Sequence, residues 1–519
     1  MSKRGLRAKL AITIAITAFF LFTACGGEEY EAPEVEQEIE EAEQEEEEME
    51  IRAEILTLDW AYAMDMARKR RAGIEKPDYD ALIAMTEGRT PSSRLPQRFW
   101  NDWGSAEYLP EYFSIEDAVA DAWALFSTLR EVYGGYVYFG GDDVFSAILG
   151  NLATELFLLG DEMISAGDFA EILHAHLNQV IIDNHFWIGN ERMSLNFGYF
   201  HRNGIYYDRT EDGFRNRATD LYLTNIEGYN IEEAMRLHAN ADGELFYRPV
   251  LLLESANAVQ RAYFVYEDGR REGRTLIREA VSQRQMQLPT LEYIDNIPIL
   301  TVLAMGFDGH ENAAGIAHAE PFMAYAEQLR HEPIVIVDIR GNTGGNGLLP
   351  VRWLVELTGQ FVPSNYVWLS ARPFNSEDFG FDPDNSHQNP PGSWQTFANP
   401  GSFGENHTIF NTEPRRIVPR GQMLVLLTDR ATSSAAEDFV DRIFNIENTL
   451  VVGTATGGVL AFDATYSPIN LPNTGMPFGL GRAMMLWPDG HFAEGVGIQP
   501  DIWVNGDALT AALALINVQ

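Results

Sequence analysis

The stretch Glu332–Gly359, EPIVIVDIRGNTGGNGLLPVRWLVELTG, contains one complete unit of an α/β fold. Its first part is a continuous apolar run rich in β-branched residues, the pattern of a strand buried on both faces. The run stops at a glycine-containing loop, and the segment GLLPVRWLVELTG follows. The same alternation recurs on either side. Upstream, IPILTVLAM (297–305) reads as a strand and NAAGIAHAEPFMAYAEQLRH (312–331) as largely helical. Downstream, QMLVLLTD (422–429) is a strand, SSAAEDFVDRIFNI (433–446) a helix and TLVVGTATGG (449–458) a strand with a glycine turn. Repeated strand–helix alternation predicts an α/β core, over 291–519.

Two other compositions precede it. Over 51–190 the text is helical: SIEDAVADAWALFSTLREVYGG (114–135) opens with a Ser-x-x-Asp cap signal and closes at glycines. DVFSAILGNLATELFLLGDEMIS and DFAEILHAHLNQVIID repeat the pattern, leading into IIDNHFWIG (181–189). Over 191–290 short strand-like runs such as GIYYDR, DLYLTNIEG and RAYFVYEDG alternate with turn residues, with NIEEAMRLH (230–238) as a single helix.

The chain's formal charge of −39 over 519 residues excludes a nucleic-acid partner, which needs a basic face. Much of that acidity sits in Glu28–Glu54, a self-repelling run that reads as an extended tether over 25–50. Before it stand a basic segment (MSKRGLRAKL), a short apolar segment (AITIAITAFFLF) and FTACGG, whose Cys25 is the only cysteine. This is a secretory signal over 1–24. The small residues before the lone cysteine resemble the lipobox of bacterial lipoproteins, with Phe22 where leucine is usual. The resemblance implies cleavage before Cys25, its lipidation, and a body held at the extracytoplasmic face of a membrane.

Two features carry chemistry. In ATSSAAEDF (431–439), a serine between an apolar strand and a helix sits where free N–H groups and the positive helix end stabilise an oxyanion. A serine there is also the commonest kind of helix cap. In DIRGNTGG (338–345), glycines let a loop turn its N–H groups inward, as an oxyanion hole or anion cradle. Neither a dinucleotide fingerprint nor a Walker pattern is present.

IVIVDIRGNTGG, VLLTDRATSSAAEDF, VVGTATGG and EGVGIQPDIWV follow in the order found in the tail-specific (C-terminal-processing) serine peptidases, peptidase family 41, which the chain resembles. YGGYVYFGGDDVF and LNQVIIDNHFWIG resemble the family's helical N-terminal part, which ends in an Asp-x-His motif. The resemblance implies a ClpP/crotonase-like ββα core and hydrolysis of protein or peptide substrates without a cofactor or metal. It implies Ser434 as nucleophile, with Ala435 N–H and the glycine loop, Gly344 before Gly345, as oxyanion donors. One branch of the family takes its base from a lysine in the glycine turn after the serine. Here Val459 stands at that place, and no lysine follows Ser434. The branch resembling the tricorn core uses a histidine and a glutamate, which match His185 and Glu494, with Asn184 at the polar relay position. A neutral imidazole takes a serine proton at neutral pH, and a carboxylate linked to it supports the imidazolium. Asp338 and Arg340 read as braces of the oxyanion loop.

Other candidates read blandly. His174 and His176 stand at i, i+2 on different helix faces, as solvated positions rather than metal ligands. His310 and His491 read as cleft or loop residues, and GFDPDNSHQNPPGSW (380–394) as a surface loop. The β-rich module sits where relatives carry a PDZ domain, and LYLTNIEGYNIEEAM resembles a divergent PDZ segment. Two further readings stay open: a catalytically silent lipoprotein binding peptides or apolar ligands on this fold, and an interaction module built on 51–180.

Overall fold

The computed structural model describes residues 58–72, 110–160, 163–193, 197–281, 284–285, 287–306, 313–370, 401–403, 407–410, 418–463, 469–481, 483–487 and 494–516. The signal segment, Cys25, the Glu-rich run, His310, His491 and the 380–394 loop lie outside them. The described residues belong to one compact unit, spanning Leu56–Gln519.

The core is a sheet of parallel strands: β14 (Ile297–Thr301), β15 (Ile334–Asp338), β19 (Met423–Thr428), β20 (Thr449–Gly453) and β24 (Ile502–Trp503). β13 (Thr290–Ile294) adds an antiparallel edge. The side chains of β15 and β19 alternate between two apolar layers. Val335, Val337, Leu424 and Leu426 face one layer, while Ile336, Val425 and Leu427 face the other. Both faces are therefore covered, which is why these strands read as unbroken apolar runs. The first layer contains α6 (Ala313–Leu329), α7 (Leu348–Thr358) and α8 (Ala435–Ile443), together with the upstream helices. The second contains α9 (Ala508–Ile516) and α1 (Leu58–Ala72), through Ala63, Met64 and Ala67.

The helical layer upstream is α2 (Ile115–Val132), α3 (Gly141–Leu158) and α4 (Ala166–Leu177). Ser114 and Ser165 cap α2 and α4 by accepting the N–H groups of Asp117 and Asp168. β1 (Tyr112–Ser114) and β2 (Met163–Ser165) pair antiparallel just before those caps. α1, although part of the same helical text, packs with α9 on the opposite side of the sheet. IIDNHFWIG does not continue α4. Asp183–Ile188 form a strand, β3, which pairs with β4 (Glu191–Met193) and, across the chain, with β22 (Pro477–Gly479), itself paired with β21 (Ile469–Asn470). Asp121 of α2 adds a second tie by accepting the N–H groups of Asn473 and Thr474.

The β-rich module comprises β5 (Phe197–His201), β6 (Tyr207–Thr210), β7 (Gly213–Asn216), β8 (Tyr222–Ile226), β9 (Met235–Ala239), β10 (Leu245–Glu254), β11 (Val259–Tyr266) and β12 (Arg271–Arg278). It departs from expectation in two ways. First, its sheet is continuous with the core sheet, because β9 runs parallel to β24 with Trp503 opposite His238. Second, NIEEAMRLH is not one helix. Asn230 caps a single turn, α5 (Ile231–Ala234), and MRLHA then becomes β9, paired along its length with β10. The ladder hydrogen bonds and burial of Met235, Leu237 and Ala239 override helix propensity here. A PDZ groove needs a helix along one wall, and this segment supplies one turn.

A smaller sheet, β17 (Gly401–Phe403), β18 (His407–Phe410), β16 (Val367–Ser370) and β23 (Ala483–Leu486), completes the described strands. No helix among the described residues is long and apolar enough to cross a membrane.

Candidate active site

Ser434 lies at the junction of β19 and α8, with φ 55° and ψ −123°. A normal N-cap is in the extended region, so this backbone is strained, as at sites that fix one reactive side chain. The turn is held by its own polar groups. Asp429 Oδ1 accepts the N–H groups of Ala431 and Thr432 and that of Gly341 in the facing loop. Asn342 O accepts the Ser433 N–H at 2.9 Å. Ser433 turns its hydroxyl back to Ala431 O, as a turn residue does.

Glu437, one turn into α8, is fully buried and receives four donors: Ser434 N, Thr456 Oγ1, Gly458 N and Val459 N. Burial raises its pKa, and those four hydrogen bonds oppose the rise. Val459, in the turn where related sequences carry lysine, thus serves Glu437 through its backbone. AAEDFVDRI forms the expected helix, and every residue of α8 is buried. Its charges are paired: Asp438 with Arg442 and the Tyr366 hydroxyl, and Asp441 with Asn365 and Trp487.

The glycine loop after β15 closes over this turn. A methyl group on Gly344 would lie 2.7 Å from Ser434 Cβ and 3.1 Å from Ala435 N, so only glycine admits this approach. The two glycines differ in what their N–H groups do. Gly344 N–H is already donated to Asn342 Oδ1 at 2.9 Å. Among the described residues, the N–H groups of Gly345 and Ala435 have no partner. Asn342 forms an Asx turn that occupies the Gly344 donor. Asp338, buried, accepts from the backbone and guanidinium of Arg340 and from Arg284, and Arg340 reaches on to Asp507. Asp338 and Arg340 therefore brace the loop, as their sequence pattern suggested.

The third strand set brings in the base side. β3 carries Asp183, Asn184 and His185. Glu494 Oε1 accepts both the backbone N–H of Asn184 (3.0 Å) and its side-chain amide (2.9 Å), and Glu494 Oε2 accepts Ala461 N–H (2.9 Å). The same amide reaches Gly458 O, next to Val459. Asn184 thus joins the upstream strand to the Glu494 loop and to the turn that Glu437 holds. Burial, then the charge of Arg192, pushes the His185 imidazole down to about 4, against a hydrogen bond with the Phe462 backbone. His185 is neutral at neutral pH, as a general base must be. Its Nδ1 is buried without a partner. Burial first, and the charge of Asp183 second, raise Glu494 to about 8. Ser434 Oγ and His185 are not hydrogen-bonded to each other among the described residues; catalytic hydrogen bonds commonly tighten only around bound substrate.

Arg430 was passed over in the sequence, and nothing local marks it. Its guanidinium donates to the carbonyls of Thr456, Gly495 and Val496, fastening the residues after Glu494 beside the nucleophile turn. His174 and His176 are bonded to Arg192 O and Glu155, away from this site. No group of three or more metal-ligating side chains occurs among the described residues.

No curated protein matches the chain. Among solved structures it is similar to mature CPAF complexed with lactacystin, at 14% identity over 78% of this chain and 99% of that one, with a TM-score of 0.39. It is similar to the photosystem II D1 C-terminal processing protease, at 13% identity over 76% and 94%, with a TM-score of 0.34. A lipoprotein from Streptococcus agalactiae gives 12% identity over 79% and 98%, with a TM-score of 0.37. Residues 316–504, within the α/β core, match the family model described as Peptidase family S41.

Proposed function

We propose that the protein is an extracytoplasmic, membrane-anchored serine endopeptidase that cleaves protein or peptide substrates through Ser434, His185 and Glu494. In this reading Ser434 Oγ attacks the scissile carbonyl, and His185 takes its proton and returns it to the leaving amine. Ala435 N–H and Gly345 N–H, both unengaged, receive the oxyanion. Glu494 acts on His185 through Asn184, which holds the strand carrying the base. The observation that carries the reading is the pair of hydrogen bonds from Asn184 to Glu494 Oε1, which joins the strand bearing His185 to the Glu494 loop across the chain.

The anchor rests on the N-terminal sequence alone: a signal segment ending before Cys25, followed by an acidic tether. The working organisation is a signal segment (1–24), a tether (25–50), a helical part (51–190), a β-rich module (191–290) and the peptidase core (291–519).

Digestion of a denatured protein substrate by wild type and Ser434→Ala tests the activity. Loss of cleavage in the variant supports the reading, and equal cleavage by both defeats it. Mass spectrometry of the N-terminal peptide from membranes tests the anchor, with an acylated Cys25 expected.

The orphaned Nδ1 of His185 gives one specific reason to keep a second reading, a binding lipoprotein on the same fold that has lost turnover. In that case wild type and Ser434→Ala bind peptide equally and neither cleaves it.

A further inference from the structure

Three consecutive N–H groups of β3 end on two buried carboxylates. Asn184 N–H goes to Glu494, and His185 N–H (2.8 Å) and Phe186 N–H (3.1 Å) go to Asp183 Oδ1. Asp183 is wholly buried and Glu494 is 9% exposed. The strand segment bearing His185 is therefore fixed by two acidic groups within a dry interior. The Tyr133 hydroxyl, from the end of α2, faces both of them.

The two carboxylates are served unequally. Glu494 has donors on both oxygens, three in all. Asp183 has two donors on Oδ1, while Oδ2 is buried with none, and the Tyr133 hydroxyl beside it is equally unpaired. Two like charges in a water-excluded site cannot both persist, so one group keeps a proton. The Tyr133 hydroxyl faces Asp183, and three donors serve Glu494, so the proton is shared by the pair rather than fixed on one carboxyl.

We propose that Asp183 is a positioning residue of the Ser434–His185–Glu494 site and forms with Glu494 a carboxyl pair that holds one proton between them. The proposal rests on that reading of the site. One proton on the pair leaves a single charge beside the base strand, where it stabilises the imidazolium during turnover. Burial raises both groups, Asp183 to about 7 and Glu494 to about 8. The charged groups facing the pair are Asp463, which raises Asp183 further, and Arg192, which acts on His185 from β4.

The sign of the pH dependence follows. A carboxyl whose folded pKa lies above its ordinary value binds its proton more tightly folded than unfolded. The stability it contributes is lost as pH rises from about 4 towards 8. Asp183→Asn keeps the Oδ1 acceptor, places an amide at Oδ2 and leaves the pair with one ionisable group instead of two. The Tm of Asp183→Asn minus that of wild type should be small at pH 5 and grow in the variant's favour up to pH 9. A difference independent of pH overturns the shared proton.

The positioning role is read from the rate at which a fluorophosphonate labels Ser434. Asp183→Ala should slow labelling about tenfold or more by freeing the base strand, and Asp183→Asn should recover part of the loss. Labelling of Asp183→Ala at the wild-type rate overturns that role. If Asp183→Ala does not fold, an Asp183→Asn rate below that of Asp183→Glu, which keeps a carboxyl but displaces its acceptor oxygen, equally overturns it. Wild type that never labels defeats the Ser–His–Glu reading instead, and the Tm comparison still decides the carboxyl pair.

Discussion

On the nucleophile side of the site, Glu437 receives four donors, Asp429 Oδ1 ties the turn to the glycine loop, and Asn342 spends both ends of its amide on backbone. On the base side, His185 Nδ1, Asp183 Oδ2 and the Tyr133 hydroxyl are all buried without partners. The first region is rigid by saturation, and its strain is concentrated in the backbone of Ser434. The second carries unspent polar capacity in a low-dielectric interior, where charge and proton position matter most. A peptidase needs both: a nucleophile that does not move and a base whose charge changes twice in each cycle.

Substitutions test this contrast. Removing the nucleophile has the largest effect: Ser434→Ala should lower kcat about 10⁴-fold to 10⁶-fold, measured with any cleavable substrate. His185→Ala and Glu494→Gln should each cost about 10⁴-fold in kcat at similar KM, and adding Val459→Lys to His185→Ala should recover none of it. Recovery would mean that the turn lysine of related sequences can act here, and that the base side is dispensable.

Within the saturated region, Gly344→Ala should cost about 10²-fold in kcat, because the added methyl would meet Ser434 Cβ and shift the nucleophile. Glu437→Ala strands four donors and should destabilise the protein by about 3 to 5 kcal/mol in denaturant unfolding. The smallest effect separates the regions by pH. His185 is depressed to about 4 when folded, from an ordinary 6.5, so its contribution to stability is lost as pH falls between those values. The Tm difference between wild type and His185→Ala should change over pH 4 to 6.5 and be level above it. Glu437→Ala should differ from wild type in the opposite sense, because a buried carboxyl whose pKa is raised on folding loses its stabilising contribution as pH rises.

Much of the nucleophile side was legible in the sequence, because it is local. IVIVDIRGNTGG and LLTDRATSSAAEDF each state a buried strand, a loop and a helix start in consecutive residues, and Ser434, Ala435 and the glycines fall at those joints. The base side was legible only through the resemblance of DNHFWIG to a family motif. No local rule says that β3 will pair with β22, or that Asn184 will meet Glu494, since those contacts are made by the folded chain. The misread elements have the same origin. MRLHA carries no sign of the strands it will lie between, and nothing in AAEDFVDRI says that Tyr366, Asn365 and Trp487 will cover its acidic residues. Nor does any local rule say that an Asn side chain two residues earlier will claim the Gly344 N–H.

The central claim is that Ser434 is a nucleophile activated by His185. It is tested most directly by reacting the purified protein with a fluorophosphonate and mapping the adduct by mass spectrometry. The account predicts one adduct, on Ser434, abolished in Ser434→Ala and strongly slowed in His185→Ala. An adduct on Ser433, an adduct formed equally fast without His185, or none at all would contradict it.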